Sequence, residues 1–514
     1  MRTFARAVAL ITVFSISTRT LGFIFRIFLS RVLEAELLGV YQIAFSFFMV
    51  FLTFIASGLP LSISRKVSEI DEKKGSSEIG NIVRSGLIIS FTVSAALALI
   101  TLALRGPLGS LFTDSRSMTI LLVLLPSIFA YSIYTVLRSV WWGQRRFTLL
   151  GATELLEQVI RIILFLVILP LVYIFGNGAM IAAVSFTFAC FLSAISVSVL
   201  FYKKQQGGQE LKSATRSYVR EITKTAAPIT AVRAITSIAL PIIAVVLPLR
   251  LIAAGWSNSD AVAHFGIAVG MTLPLISIPQ TVISSMATAL VPEITRAVKA
   301  GDTDTMSRQI KSCIRVTLLI NFILFPVFVA IGGGIGFFLF ANVHAGIYLV
   351  NSAWIMIPLS LSLITNAILN SLGAETRAMR HYMIGSIALF ASIWFLPSAI
   401  GVGALIVGLG LCTSIASVLN LILIQKLSNA QVDFTSLIFG FLAIATPVVI
   451  IGRAFSGLLN PLPLFFNLSI STAVVISLFI TLAYCFRLID LDSFRFKKKK
   501  LGTIENSNTT QPVP

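Results

Sequence analysis

Charge is what this chain lacks. Only 11% of its residues are Asp, Glu, Lys or Arg, against about 25% in a soluble globular domain. With 57% hydrophobic residues and a mean hydropathy of +0.95, the deficit excludes an ordinary soluble fold and places the chain in the membrane class. Acids are scarcer than bases, 20 against 39, and the formal net charge is +19. A basic chain can bind nucleic acid, but here Lys and Arg fall in short connections, with no basic face and no nucleic-acid motif, so no nucleic-acid partner is expected. Cysteine is sparse too. Cys190, Cys313, Cys412 and Cys485 lie singly in or beside apolar segments, which excludes a disulfide framework and a thiolate metal site. His264, His344 and His381 are isolated from one another. With no HExxH, P-loop or Ser/His/Asp set, the sequence offers no convergent chemistry, and neither catalytic residues nor a metal nor a cofactor is expected.

What the chain has instead is long apolar runs. A helix crossing the bilayer core needs about 20 mostly apolar residues. Fourteen stretches qualify: 7–30, 41–63, 82–104, 118–141, 155–175, 178–202, 226–249, 264–291, 314–340, 349–372, 383–400, 404–425, 436–456 and 464–486. The first follows Arg2 and Arg6 but is long and lacks a small-x-small cleavage site, so it reads as a retained span. With the N-terminus inside and the spans alternating, 29 Lys and Arg fall on the inner side and five on the outer, Arg31, Arg105, Arg116, Arg250 and Arg453. That asymmetry obeys the positive-inside rule and puts both termini in the cytoplasm. The tail "FRFKKKK" (494–500) suits a patch beside anionic lipid.

The polar stretch 203–224, with Gly207–Gly208 and six basic residues, splits the first twelve spans into six and six. Span two ends "GLPLSISRKVSE" (58–69) and span eight "ALVPEITRAVKA" (289–300). Span four leaves through "LRSVWWGQRR" (137–146) and span ten through "LNSLGAETR" (369–377). Six spans per half give both halves one orientation, so parallel repeats with a site between them are expected. The divisions are then an N-lobe (1–202), a cytoplasmic linker (203–224), a C-lobe (225–427), two added spans (428–486) and a basic cytoplasmic tail (487–514). The expected fold is an all-α polytopic membrane protein of about fourteen helices, two six-helix lobes around a central cavity and two extra C-terminal helices.

"RTLGFIFRI" (19–27) followed by "LLGVYQIAFSFFMVFLTFIASGLPLSISRKVSE" (37–69) resembles the start of the stage V sporulation protein B family. "LRSVWWGQRRFTLLGATELLEQVIRI" (137–162) and "PLISIPQTVISSMATALVPEITRAVKAGD" (274–302) resemble its later segments. These are polysaccharide-type transporters of the multidrug/oligosaccharidyl-lipid/polysaccharide (MOP) exporter superfamily. The resemblance implies fourteen helices in two lobes about a central cavity, and movement of lipid-linked cell-wall precursors across the bacterial inner membrane. The related lipid II flippases keep cavity arginines on their first helix, which Arg19 and Arg26 match at a spacing one residue longer. They also carry arginines on their second and eighth helices. Spans two and eight here carry none, which favours the sporulation-type branch over lipid II itself.

The residues support a cationic site directly. An arginine at a helix centre in a bilayer costs about 2.5–3.5 kcal/mol on insertion scales, and span one holds two. Seven residues advance a helix by about two turns, so Arg19 and Arg26 share one face about 10.5 Å apart, with Ser15 and Thr18 near the stripe. Arg233 holds a comparable place in span seven, the first of the second half. Guanidinium binds phosphate oxygens through a planar two-bond fork, and a polyprenyl-diphosphate sugar presents such a headgroup. Arg19, Arg26 and Arg233 are therefore the candidate headgroup residues. Glu154, Glu157 and Arg161 share a face at the start of span five. Glu157 to Arg161 is the favourable order for an intrahelical pair, and the alternative is a gate or an ion-coupling site. Arg138, beside Trp141 and Trp142, reads as an interfacial anchor. Pro126, Pro241, Pro274, Pro279 and Pro358 are expected to interrupt helices.

The function expected is a flippase working by alternating access on a lipid-linked oligosaccharide or peptidoglycan precursor, without enzymatic activity, as a monomer. Its expected partners are that substrate and membrane lipids, and its coupling ion (H+ or Na+, if any) stays open. A multidrug exporter of the same superfamily should place carboxylates rather than arginines in its cavity. A polyprenyl-lipid membrane enzyme would need convergent acids, and a non-transporting scaffold would need no site.

Overall fold

In hydrocarbon the backbone finds no water, so a long apolar run pairs its N–H and C=O groups internally as helix. The computed structural model describes residues 2–70, 75–171, 177–204, 215–428, 434–486 and 488, with no strand among them. Helix α1 (Arg2–Val32) leads to α2 (Ala35–Ala56), α3 (Gly58–Ser68), α4 (Gly75–Ala103), α5 (Arg105–Leu111), α6 (Arg116–Leu124), α7 (Ser127–Gly143), α8 (Phe147–Ile168) and α9 (Gly178–Lys204). Then come α10 (Thr215–Ser237), α11 (Ala239–Ala253), α12 (Asn258–Gly266), a π-helical turn (Ile267–Thr272), α13 (Leu273–Ile276) and α14 (Ile278–Ala300). The rest is α15 (Thr303–Phe340), α16 (Val343–Ser352), α17 (Met356–Ser371), α18 (Glu375–Phe395), α19 (Pro397–Ile400), α20 (Gly403–Ser428), α21 (Phe434–Leu458) and α22 (Leu464–Cys485). Residues 205–214 of the 203–224 connection and all of "FRFKKKK" lie outside the described residues.

Eleven stretches among the described residues are long and apolar enough to cross a membrane, and each coincides with an expected span. The other three expected spans, 7–30, 155–175 and 383–400, fall on α1, α8 and α18. These carry Arg19 and Arg26; Glu154, Glu157 and Arg161; and Arg380 and His381. Apolarity alone therefore supports eleven of the fourteen. The five prolines all stand at joints. Pro126 caps α7, Pro274 and Pro279 open α13 and α14, and Pro241 and Pro358 lie in the first turns of α11 and α17. A proline there removes a donor the helix would not use.

Two close crossings join the front of the chain to the part after the 203–224 connection. Along α2 and α12 the backbones touch: a Cβ on Gly39 would lie 2.0 Å from the Val262 carbonyl oxygen, and one on Gly266 2.5 Å from the Gly39 nitrogen. Only residues without side chains allow this approach. Polar contacts close the same end. Arg116 pairs with Asp114 at 2.5 Å and with Glu36, the Ser259 hydroxyl donates to Glu36, and Asn258 Nδ2 donates to the Thr113 carbonyl at 3.1 Å. At the other end α10 lies on α3, where the Gly58 N–H donates to Thr230 Oγ1 at 3.2 Å and Lys66 pairs with Glu221. Helices α21 and α22 pack on α15 and on each other.

Candidate functional site

Between these crossings lies a cavity of about 690 Å³, within the range of small-molecule sites. One wall comes from α1 (Arg19, Gly22, Arg26), α2 (Tyr41, Gln42), α8 (Gln158, Arg161) and α9 (Phe186). The other runs from Val269 in the π turn through Leu273, Ser277, Thr281 and Val282 on α13 and α14. Helix α1 packs along α8, with Gly22 facing Gln158. The π turn adds a residue to the helix and shifts which side chains after it face inward, a common device at functional sites.

The predicted stripe on α1 faces this cavity, with Arg19 and Arg26 both lining it. Arg19 reaches across and donates to Ser284 Oγ on α14 at 3.2 Å. Among the described residues neither arginine forms an ion pair. Arg233 is not brought to them. It stands exposed on α10, a helix that packs along α2, α3 and α4, so the wall facing α1 is built by α13 and α14 instead.

Arg161 is the cavity residue that the spacing argument placed elsewhere. Its Nη2 donates to Glu157 Oε1 at 2.6 Å, the expected pair. Yet the guanidinium also lines the cavity, lies 4.6 Å from the centre of the Phe186 ring, and has a buried Nε with no hydrogen-bond partner. Glu154 turns away from that pair to Arg138, at 3.3 Å. Arg138 is mostly buried, donates to the Leu150 carbonyl at 2.9 Å, and lies over the Tyr134 ring. Gln158, one position beyond Glu157, gave no periodic signal of its own; the α1–α8 crossing brings it into the lining.

Among the described residues no three of His, Cys, Asp and Glu gather as metal ligands. Of the two Asp-x-Asp sequences, Asp302–Thr303–Asp304 caps α15, with Asp302 Oδ1 accepting from the Thr305 N–H at 2.9 Å, and Asp490–Leu491–Asp492 lies outside the described residues. The cavity can therefore bind and orient an anion through guanidinium groups, hydroxyls and amides, and it presents no nucleophile paired with a base.

An apolar shell, a cavity between two helix groups and a cationic wall are the marks of a carrier. The polysaccharide biosynthesis protein family matches residues 4–298. The chain belongs to that family. Over 442 residues it is 25% identical to stage V sporulation protein B of Bacillus subtilis (strain 168), covering 81% of this chain and 82% of that protein. It is 23% identical over 356 residues to the lipid II flippase MurJ of the same organism, covering 63% of each. Among solved structures the fold is similar to lipid II flippase MurJ in an inward closed conformation, with a TM-score of 0.64 and 16% identity, over 94% of this chain and 100% of that one. It is also similar to an inward-facing multidrug resistance MATE transporter of the MOP superfamily, with a TM-score of 0.65 and 17% identity, over 82% and 100%. Helical throughout its described residues, this member of the polysaccharide biosynthesis protein family thus shares its fold with a lipid II flippase and a multidrug resistance transporter.

Proposed function

We propose that this chain is a flippase for a polyprenyl-diphosphate-linked oligosaccharide or peptidoglycan precursor in the bacterial inner membrane. One observation carries the reading: Arg19 and Arg26 line a cavity between two helix groups, and among the described residues neither has an acidic partner. A guanidinium pair about 10.5 Å apart along one helix can hold the oxygens of a diphosphate at two points, each through a charge-assisted fork. One relative's name points to the same substrate class, lipid II. In this reading residues 1–202 and 225–427 are lobes that rock about the cavity, 203–224 joins them, 428–486 adds two helices, and both termini face the cytoplasm. The headgroup crosses inside the cavity while the polyprenyl tail stays in lipid, and the protein acts as a monomer without a cofactor. Cationic drugs are poor occupants, because the charged side chains on the wall share their sign.

The test reconstitutes the full chain in liposomes and follows translocation of a fluorescent polyprenyl-diphosphate sugar. Arg19→Ala and Arg26→Ala should each lower the rate at least tenfold, the loss expected for a charged hydrogen bond to phosphate. Wild-type rates in both variants would refute the clamp. Dye efflux without lipid movement would assign the chain to drug export instead.

A further inference from the structure

The cavity wall carries three cationic side chains, Arg19, Arg26 and Arg161, and no acid. One acid stands directly behind it: Glu157 is hydrogen-bonded to Arg161 at 2.6 Å, and its side chain is 13% exposed. The neighbouring pair, Arg138 with Glu154, is neutral as a unit. Counted together, the site holds a net charge of two positives rather than three. We infer that Glu157, through Arg161, sets the cavity's charge to match a doubly charged diphosphate diester and so selects the sugar-linked lipid over the free lipid diphosphate.

The chemistry follows from phosphate ionisation. A diphosphate esterified at both ends keeps one ionised oxygen on each phosphorus. A free terminal phosphate adds a further group with a second pKa near 6, for about one more charge at pH 7. The diester leaves the loaded cavity neutral; the free diphosphate leaves it with an excess negative charge. Uncompensated charge is penalised where protein and lipid replace water. The Phe186 ring and Glu157 hold the Arg161 guanidinium on the cavity wall. A flippase that loads only after the sugar is attached avoids carrying the bare lipid back and forth.

The inference rests on the diphosphate reading, and the experiment separates the two. Undecaprenyl diphosphate and undecaprenyl-diphosphate N-acetylglucosamine compete for the full-length protein in nanodiscs, and the ratio of their affinities is read. Glu157→Gln, which raises the site to three positives, should shift that ratio toward the free diphosphate by about tenfold or more, the worth of one charge across a site at an effective dielectric near 20. Glu157→Gln combined with Arg161→Gln restores two positives and should restore the wild-type ratio. A structural role for the ion pair predicts the opposite, since the double variant removes the pair altogether. Thermal unfolding of each variant reports folding separately. An unshifted ratio in Glu157→Gln, or a shift that the double variant does not reverse, overturns the charge count. If Arg19→Ala and Arg26→Ala bind both lipids as the wild type does, the diphosphate reading itself fails.

Discussion

Alanine at position 39 would place a methyl carbon 2.0 Å from the Val262 carbonyl oxygen and 2.8 Å from both the carbonyl carbon and Cγ1 of Val262. Ordinary contact begins near 3.4 Å, so α2 and α12 would have to part by about 1.4 Å, the difference of those two distances. The obstacle is backbone, which cannot rotate away as a side-chain tip can. Overpacking of this kind costs about 1–3 kcal/mol and occasionally more. If the lobes rock, that cost falls only on the state in which this end is closed. A penalty near 3 kcal/mol then favours the open-ended state by about a hundredfold. The assay is a distance measurement between spin labels on Ser110→Cys and Ala253→Cys, in a Cys485→Ser background because Cys485 is the exposed thiol. Gly39→Ala should populate a longer distance, and Gly266→Ala, whose methyl would meet the Gly39 nitrogen at 2.5 Å, should do the same. Gly457→Ala, which meets nothing within 4 Å, is the control. An unchanged distance together with an unchanged unfolding midpoint in Gly39→Ala would refute the reasoning.

The polar contacts at the same end make a milder test. Glu36→Gln weakens the links to Arg116 and Ser259 and should lengthen the same label distance in a fraction of molecules without unfolding them. Burial raises the Asp114 pKa, but hydrogen bonds from the Arg116 guanidinium and backbone N–H outweigh it and hold the carboxyl below its ordinary range. A lowered folded-state pKa contributes stability above the unfolded value, about 3.9, and loses it as pH falls through the folded value. The closure should therefore be flat from neutral pH down to about pH 4 and loosen only in stronger acid; loosening at pH 6 would refute the assignment to Asp114. In Arg138→Gln the lost bonds to Leu150 and Glu154 should lower stability by about 1–3 kcal/mol, read as a lower unfolding midpoint.

The arginine stripe on α1 was legible because it depends only on helical geometry within one segment: a spacing of seven fixes the shared face, and hydrophobicity of the rest fixes the span. The proline joints were legible for the same local reason. Arg161 was not. Its spacing to Glu157 satisfied a pairing rule, and a paired arginine gives no sign that its other edge faces a cavity. Arg233 occupied an equivalent place in the second half, but equivalence of position fixes neither rotation about the helix axis nor the neighbour, and α10 packs on α3 and α4. Gly39 and Gly266 escaped because glycine is common in membrane helices, and which two meet depends on the register between α2 and α12. The closing contacts at 113–116 and 257–260 join short connections that no periodicity describes.

The chain also supplies its own standard for reading an arginine inside a membrane fold. The two guanidinium groups on α7 and α8 that are built into the helix packing are neutralised: Arg138 meets Glu154 and two further acceptor surfaces, the Leu150 carbonyl and the Tyr134 ring. Arg161 meets Glu157. Leaving such a group unpaired in the bilayer interior is costly, by about 2.5–3.5 kcal/mol even on the gentlest scale, and a single carboxylate one turn away on α1 would offset much of that. No residue between Arg19 and Arg26 or within four positions of either on α1 is acidic, and the lining contributed by α2, α8, α13 and α14 has hydroxyls and amides but no carboxylate. The charge is tolerated because the cavity leaves both side chains accessible. A structural guanidinium gains nothing from that exposure. In the reading proposed above, a group that exchanges its partner during each cycle requires it, and the partner of two guanidinium groups about two helical turns apart is an anion with two phosphates.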